Sequence, residues 1–338
     1  MSERQDVRVG VVGLGAIAQV VHLPVLAHMQ GVRIGAVSDV DRPRARAIAD
    51  RFGVDKVHAR DEDLFADDEL DAVVLCTPNH LHEEQAVAAL EAGRHALVEK
   101  PLALTPEGCR RVVAAAEAAG RCAMVAMNNR FRPDVQALFP FARGGELGEI
   151  FLARGAWLNR KARQVRPTWR HRLATSGGGA LMDLGVQTLD LCLWMLDYPE
   201  PASVVCHTHR GEGMEVEDTG AILVRLENGA CISLTVSWSL AADRDRHYMR
   251  LLGSRGSGAI APLGVYKEVD GAMLDVTPAL PSSGRENIYT ASYRRELERF
   301  VEMVRGERPA EPPTEQERLM RLVGLAYRSA AEQREVEA

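Results

Sequence analysis

The sequence predicts an α/β protein with two domains: a doubly wound parallel sheet, followed by an α+β domain whose large, mostly antiparallel sheet has one open face. Strands and helices alternate up to about residue 127, whereas the second half contains strand after strand with little helix between them. In addition, 338 residues are too many for one ordinary hydrophobic core. We therefore assign residues 1–127 to the first domain and residues 128–338 to the second.

The first half alternates between apolar strands and helices. Its strand-like stretches are VRVGVVG, VRIGAVSD, DAVVLCTP, HALVEKP and RCAMVAM. The predicted helices run from Ala16 to about His28, from Pro43 to Phe52, from Asn79 as N-cap to Gly93, and over residues 105–119. Pro24 must end or bend the first helix, because its ring removes a main-chain donor. Gly53 and Gly120 supply helix stops, and the whole pattern predicts a parallel sheet covered on both faces.

The second half is rich in strands. Its strand-like stretches are EIFLARGAWLN, ASVVCHTHR, GAILVRLENG and ACISLTVSWS. The pair Asn228–Gly229 is typical of a hairpin turn. A helix over residues 179–196 should cover one face of the sheet, and helices over residues 290–305 and 314–332 complete the chain.

Composition excludes several classes of function. The net charge of −6 does not favour binding to nucleic acid or to an anionic membrane. No apolar run approaches the roughly 18 residues that cross a bilayer, and the N-terminus lacks the apolar core of a signal peptide. The six cysteines show neither a CxxC pair nor metal-ligand spacing, so we expect reduced thiols, no metal site and a cytoplasmic protein. The arginines at 163, 166, 170 and 172 form a basic patch that could meet an anionic substrate or belong to a solvated loop.

The stretch GLGAIA at residues 13–18 lies where a phosphate-binding turn belongs, between the first strand and the first helix. Gly13 permits a tight turn, Gly15 lets the main chain approach a pyrophosphate, and Ala18 allows close packing of helix on strand. The N–H groups that open the helix, including those of Ala16 and Ile17, are free to bind phosphate. Asp39 ends the second strand, where an acid binds the ribose hydroxyls. The combination predicts a Rossmann dinucleotide-binding domain.

The same aspartate predicts which dinucleotide is bound. The carboxylate of Asp39 repels a 2′-phosphate, so the sequence favours NAD over NADP. Arg42 and Arg44 could accommodate a phosphate if they folded back, but we interpret them as charges on the helix surface.

Three further stretches carry a family resemblance: residues 76–103, CTPNHLHEEQAVAALEAGRHALVEKPLA; residues 128–133, NNRFRP; and residues 168–190, TWRHRLATSGGGALMDLGVQTLD. Together with the glycine turn, they resemble the Gfo/Idh/MocA family of nicotinamide-dependent oxidoreductases. The triplet Glu99–Lys100–Pro101 and the GGGxLxDxG stretch are the most specific parts. The resemblance implies hydride transfer on a sugar, cyclic polyol or related hydroxy compound. It also implies a homodimer or homotetramer that assembles through the open sheet.

The resemblance assigns roles to individual residues. Lys100 matches the lysine that bonds the reacting oxygen and moves its proton, and Asp183 matches an acid that orients a substrate hydroxyl. At the other matching positions, the resemblance implies contacts with the cofactor for Thr77, Pro78, Asn79, His82, Glu99 and Asn128. It implies contacts with the substrate for Arg130, Trp169 and Arg170.

Gln187 departs from the family pattern, which has His or sometimes Tyr at this position. On a helix, Asp183, Gln187 and Asp190 share one face, and we interpret Asp190 as structural. Glutamine can orient an oxygen but has no useful pKa for taking its proton. Either Lys100 acts alone as the acid and base, or His171 fills the role, or the chain has kept ligand binding and lost hydride chemistry.

The sequence therefore predicts an NAD-dependent dehydrogenase or reductase that acts on CH–OH groups, with Lys100, Asp183 and Gln187 as its catalytic residues. Two alternatives remain. One is a glycosidase-type hydrolase that uses NAD transiently on the same scaffold. The other is a non-catalytic regulator that responds to a sugar or a nucleotide.

Overall fold

The structure is a computed structural model that describes residues 6–161, 168–280 and 286–338. Arg163 and Arg166 of the predicted basic patch lie outside these ranges. The chain divides into two compact units. The first contains the residues up to Asn128 together with Tyr289–Glu317, and the second contains Asn129–Ile288 together with Arg318–Ala338.

The first unit contains a six-stranded sheet in which every strand pair is parallel. Its strands are Val7–Val12 (β1), Val32–Ser38 (β2), Lys56–His58 (β3), Ala72–Leu75 (β4), His95–Glu99 (β5) and Ala123–Ala126 (β6). The spatial order is β3-β2-β1-β4-β5-β6, which confirms the predicted doubly wound sheet. The order reverses between β1 and β4, and ligands of such sheets bind outside the carboxyl ends of the strands at this point.

Helices connect these strands. They are Leu23–His28 (α1), Arg42–Phe52 (α2), Asp61–Phe65 (α3), His82–Glu91 (α4) and Pro106–Ala119 (α5). The predicted stops are present, since Gly53 and Gly120 adopt φ values of 66° and 60° after α2 and α5. Thr105 caps α5 by accepting a hydrogen bond from the N–H of Gly108.

The first helix does not end at Pro24: a π turn at Ala18–His22 precedes the proline, which occupies the first turn of α1, where a missing N–H costs little. One local prediction in this unit was wrong. Asn79 does not cap α4: it begins a 3-10 turn at Asn79–Leu81, and Leu81 occupies the N-cap position of the helix.

The helix Ile288–Val304 belongs to the first unit from Tyr289 onward, although its sequence position lies far beyond the predicted division at residue 127. Leu297, Phe300 and Val301 are almost fully buried in the same core as the apolar side chains of β1. The structure thus adds a late segment to the first unit because burial of this apolar stripe requires the sheet's core.

The second unit contains a nine-stranded sheet. Its strands are Ile150–Arg160 (β7), Pro201–His209 (β8), Thr219–Leu226 (β9), Cys231–Leu240 (β10), Arg246–Gly253 (β11), Gly256–Ile260 (β12), Gly264–Val269 (β13), Ala272–Asp275 (β14) and Val336–Glu337 (β15). The pair β7–β10 is parallel and the other pairs are antiparallel, so the predicted mostly antiparallel sheet is confirmed. Gly229 adopts a φ of 85° in the hairpin between β9 and β10, as the turn prediction requires.

The remaining helices are Pro133–Arg143 (α6), Leu173–Ser176 (α7), Val186–Met195 (α8), Ile288–Val304 (α9) and Glu315–Glu332 (α10). A π turn at Leu181–Gly185 leads into α8, so the predicted helix over residues 179–196 is not regular throughout. α8 approaches β7 closely, because a Cβ at Gly155 would lie 2.7 Å from the Thr188 side chain. No helix within the described ranges is long and apolar enough to span a membrane.

Candidate functional site

The turn after β1 has the geometry that a pyrophosphate requires. Gly13 has a φ of 82°, and a Cβ there would lie 2.8 Å from the main-chain carbonyl of Cys76. At Gly15 an added Cβ would meet no protein atom within 4 Å, so this side of the turn is open. The helical segment that leads through the π turn into α1 begins at Ala16. The first N–H groups of a helix have no acceptor within it. The turn therefore fits the phosphates of a dinucleotide.

Asp39 follows β2 and is held by this turn. Its Oδ2 accepts the Leu14 N–H at 2.7 Å, and its Oδ1 accepts the Asp41 N–H at 2.8 Å. Arg44 binds both carboxylate oxygens, with distances of 2.6 Å and 3.2 Å. The hydrogen bond to Asp39 raises the pKa of Arg44. The interpretation of Arg44 as a charge on the helix surface was wrong, because this side chain folds back onto Asp39, whereas Arg42 is exposed.

The stretch after β4 is buried at the same edge of the sheet. Asn79 is 7% exposed, and the Thr77 hydroxyl donates to Gln85. The two ring nitrogens of His82 lie 2.7 Å from the Pro101 carbonyl oxygen and 2.8 Å from that of Thr77. Burial lowers the pKa of His82. His82 thus supports the loops after β4 and β5, and its predicted contact with the cofactor remains a prediction.

The motif Glu99–Lys100–Pro101 stands at the carboxyl end of β5. Glu99 is buried, and its Oε1 lies 2.8 Å from Nε2 of His22. Lys100 is partly exposed, as a side chain that meets a substrate must be. The buried Asn128 donates to the Ser292 hydroxyl at 3.0 Å. The first unit therefore brings the glycine turn, Asp39, Thr77–Asn79 and Lys100 to one edge of its sheet.

In the second unit, the glycine-rich stretch before α8 is fastened by a carboxylate. The N–H of Gly179 lies 2.9 Å and 3.0 Å from the two Glu217 carboxylate oxygens, and the N–H of Leu181 donates to one of them at 2.9 Å. The Tyr327 hydroxyl also donates to Glu217 at 2.9 Å. A Cβ at Gly179 would overlap the Glu217 carbonyl oxygen, and one at Gly178 would overlap the Tyr327 hydroxyl. These glycines therefore permit the close packing that fixes the start of the π turn.

Asp183 lies in that π turn and is partly exposed. The Trp238 indole N–H donates to its Oδ2 at 3.3 Å. His171 meets the Trp238 ring edge-on, with ring centroids 5.7 Å apart. The Arg170 guanidinium lies over the Trp169 ring, 4.4 Å from its centroid. Trp238 therefore contacts both Asp183 and His171 within this unit.

Gln187 is 7% exposed on α8, and its Oε1 accepts a hydrogen bond from Nδ2 of Asn129 at 3.1 Å. One turn further on, Asp190 binds the Arg130 guanidinium through both of its oxygens, at 2.8 Å and 2.5 Å. Tyr198 also donates to Asp190. Asp190 has structural partners here, as expected, and Arg130 is held by the protein while its predicted contact with substrate remains a prediction.

Four supporting residues were not identified from the sequence: His22, Asn129, Glu217 and Trp238. Asn129 stood inside the NNRFRP stretch, and Trp238 stood at the end of a recognised strand, so a local signal was present for these two. His22 is 77 residues away in sequence from its partner Glu99, and Glu217 is at least 36 residues away from the groups that it binds. No local sequence pattern identifies either residue.

No cluster of three or more histidine, cysteine or acidic side chains suited to a metal ion occurs among the residues described. Burial raises the pKa of Cys109, Cys122, Cys192 and Cys206 to about 12. These thiols are therefore protonated and unreactive near neutral pH.

The parallel sheet with its pyrophosphate turn, acid and lysine defines a dinucleotide-dependent oxidoreductase. The family description "Oxidoreductase family, NAD-binding Rossmann fold" matches residues 7–127, and "GFO/IDH/MocA C-terminal domain" matches residues 136–258. The chain belongs to the Gfo/Idh/MocA family, and its first domain is an NAD-binding Rossmann domain.

Several known proteins are similar over most of their length. Inositol 2-dehydrogenase of Acidothermus cellulolyticus is 30% identical over 266 residues, covering 77% of this chain and 74% of the relative. D-glucoside 3-dehydrogenase of Escherichia coli is 27% identical over 343 residues, covering 96% and 95%. The crystal structure of GenD2 from gentamicin A biosynthesis, in complex with NAD, superposes with a TM-score of 0.86 at 30% identity, covering 99% and 97% of the two chains.

Proposed function

We propose that this protein is an NAD-dependent dehydrogenase that oxidises a CH–OH group of a sugar, a cyclic polyol or a related hydroxy compound, or catalyses the reverse reduction. The observation that carries the proposal is the shared carboxyl edge of the parallel sheet, where the pyrophosphate turn follows β1, Asp39 follows β2 and Lys100 follows β5. The relatives named for inositol and D-glucoside dehydrogenases support this class of substrate.

In this proposal Lys100 binds the reacting oxygen and moves its proton, while bound NAD supplies the hydride acceptor or donor. Asp183 accepts a hydrogen bond from a substrate hydroxyl and is kept in orientation by the Trp238 indole. Gln187 orients a substrate oxygen. The Asn129 amide already donates to Oε1 of Gln187, and the Gln187 amide N–H groups supply the donors for a substrate oxygen in this proposal. Gln187 therefore donates a hydrogen bond and takes no proton.

His171 is the second candidate for moving the proton. Its ring contacts Trp238, which binds Asp183, and the Thr168 N–H donates to its Nδ1 at 3.0 Å. With Nδ1 used as an acceptor, Nε2 is the nitrogen free to exchange a proton. His171→Ala would then reduce turnover. Normal turnover in this variant would leave Lys100 as the acid and base.

We also propose that the site prefers NAD to NADP. The Asp39 carboxylate stands at the end of β2, where it accepts the hydroxyls of an unphosphorylated ribose. Arg44 is already bound to both oxygens of Asp39, so it is not free for a 2′-phosphate unless that pair opens.

The protein is further proposed to be a cytoplasmic homodimer or homotetramer that pairs through the open face of the nine-stranded sheet. Leu223 and Leu252 lie on the face opposite α8 and are 49% and 37% exposed. Light scattering after size-exclusion chromatography should give twice or four times the monomer mass, and Leu223→Glu should reduce it. A monomer at micromolar concentration would contradict this assembly.

The activity is tested by incubating the protein and NAD with myo-inositol, methyl D-glucosides and other polyols while the NADH absorbance band is followed. Net NADH formation with at least one compound supports the dehydrogenase. Release of nitrophenol from a nitrophenyl glycoside with no net NADH would instead identify the glycosidase-type reaction. Failure of both reactions, with NAD still bound, would favour a protein that binds its ligand without turnover.

A further inference from the structure

Asn128, which lies just beyond β6 at the edge of the parallel sheet, has a hydrogen-bond partner from a much later part of the chain. Its Nδ2 lies 3.0 Å from Oγ of Ser292 on α9. Asn128 is 2% exposed and Ser292 is 0% exposed. Both residues belong to the first unit, so α9 supplies a buried polar side chain to the sheet edge that binds the cofactor.

The hydrogen bonds of Ser292 assign the two ends of the Asn128 amide. Oγ of Ser292 lies 2.7 Å from the main-chain oxygen of Tyr289, and a carbonyl oxygen can only accept. The hydroxyl therefore uses its single proton on Tyr289 and offers a lone pair to Asn128. Because the atom that faces this lone pair must be a donor, it is Nδ2, and the alternative orientation of the amide is excluded.

The other arm of the same amide is the oxygen Oδ1 of Asn128. It accepts no hydrogen bond from the residues that the structure describes. Polar atoms of buried residues are normally paired. The Asn128 side chain is therefore an acceptor, held in one orientation, that suits an N–H group of a bound ligand.

The order of the strands decides which half of the cofactor lies nearest to Asn128. A doubly wound sheet binds a dinucleotide across its switch point, with one mononucleotide on each half. The pyrophosphate turn follows β1 and Asp39 follows β2, so the adenosine half extends toward β2. The nicotinamide half then extends toward β4, β5 and β6, the side of the sheet on which Asn128 lies.

We infer that Oδ1 of Asn128 accepts a hydrogen bond from the carboxamide N–H of nicotinamide, and that Ser292 is the positioning residue that keeps the Asn128 amide in this orientation. The inference concerns recognition of the cofactor and does not depend on the proposed substrate. A serine that only stabilised the packing of α9 would contribute to stability without affecting which pyridine dinucleotide the protein prefers.

The test compares NAD with acetylpyridine adenine dinucleotide, in which a methyl group replaces the carboxamide NH2 and removes the donor. Isothermal titration calorimetry without substrate measures the two affinities. The unmodified protein should bind NAD roughly tenfold more tightly than the analogue, because Oδ1 finds no donor in the complex with the analogue. Asn128→Ala should bind the two dinucleotides with similar affinity, mainly through weaker binding of NAD.

Substitutions of Ser292 separate positioning from packing. In Ser292→Ala the Asn128 amide can turn and donate through Nδ2 to the acetyl oxygen of the analogue. The preference for NAD should therefore fall to roughly twofold. Ser292→Cys, which supplies only a weak acceptor, should lower the preference part of the way, and it replaces the alanine variant if that variant does not fold. Ser329→Ala removes another fully buried serine hydroxyl, in the second unit, and should leave the preference unchanged.

The double variant Asn128→Ala with Ser292→Ala should show the same preference as Asn128→Ala alone, because Ser292 acts through Asn128. Equal affinity of the unmodified protein for the two dinucleotides would overturn the inference, as would an unchanged preference in Ser292→Ala. Since these titrations contain no substrate, absence of dehydrogenase activity would refute the proposed function and leave the roles of Asn128 and Ser292 to be decided by their own measurement.

Discussion

The functional groups at the edge of the parallel sheet are held in a different way from those on α8 and on the π turn that precedes it. At the sheet edge, the main chain contributes much of the support: Asp39 accepts N–H groups of Leu14 and Asp41, and the turn itself is made by Gly13. On the helix, side chains from distant segments provide it. Trp238 orients Asp183, and Asn129 orients Gln187.

This difference predicts which substitutions should displace the functional groups of each region. A main-chain site persists through most side-chain substitutions nearby, because its donors are part of the backbone. A site oriented by remote side chains depends on packing, so a substitution far along the chain can displace it. The His22–Glu99 pair is an exception within the first unit, since its members are also remote in sequence.

The largest expected effect is at the sheet edge. Lys100→Ala should reduce turnover by roughly 10²–10⁴-fold, because the reacting oxygen loses its proton donor and acceptor. NAD affinity, measured by fluorescence titration, should persist because main-chain groups bind the pyrophosphate. Lys161→Ala serves as the control for removing an exposed lysine. Near-normal turnover in Lys100→Ala would show that this lysine is a bystander.

The next effect concerns the remote support of the helix. Glu217→Gln should destabilise the protein by about 2–3 kcal/mol and raise the KM for substrate, because an amide replaces a buried carboxylate that accepts two main-chain N–H groups and the Tyr327 hydroxyl. Urea denaturation measures the stability. Glu212→Gln changes an exposed acid nearby and should alter neither the stability nor the KM. Equal stability and equal KM in the two variants would show that the groups on the helix do not depend on support from Glu217.

A smaller effect is expected at the ribose end of the sheet edge. Asp39→Ala should weaken NAD binding by about 1–3 kcal/mol and relax the exclusion of NADP. Asp39→Asn, which keeps an acceptor and loses the charge, should relax that exclusion with less loss of NAD affinity. Titrations with NADH and NADPH measure both effects. Tighter binding of NADPH than NADH by the unmodified protein would contradict the proposed preference.

The smallest effect is expected at Gln187. Gln187→Ala should mainly raise KM, by a factor that corresponds to about 1 kcal/mol, because it removes a hydrogen bond made in the ground and transition states alike. Asn129→Ala should produce part of the same change by releasing the Gln187 amide. Gln187→His should add an ionisation near about 6.5 to the pH profile of turnover. Unchanged kinetics in all three variants would show that Gln187 does not contact the substrate.

The sequence did not identify β3 or the strands β11–β15. It did determine by itself the class of each sheet, the glycine turn, the position of Asp39 at a strand end, and the helix stops at Gly53 and Gly120. These features depend on local periodicity and on backbone conformations that few residues adopt, so they can be recognised within a short window.

Only the tertiary structure decided which side chains orient the candidate groups. Arg44 turned back onto Asp39, α9 joined the first unit, a π turn accommodated Pro24, and Glu217 fastened the glycines before Asp183. The placement of α9 depends on the burial of an apolar surface, and the contact of Glu217 pairs a buried polar group with partners far away in sequence. The free energy of such contacts belongs to the folded arrangement and leaves no periodic signal in the chain.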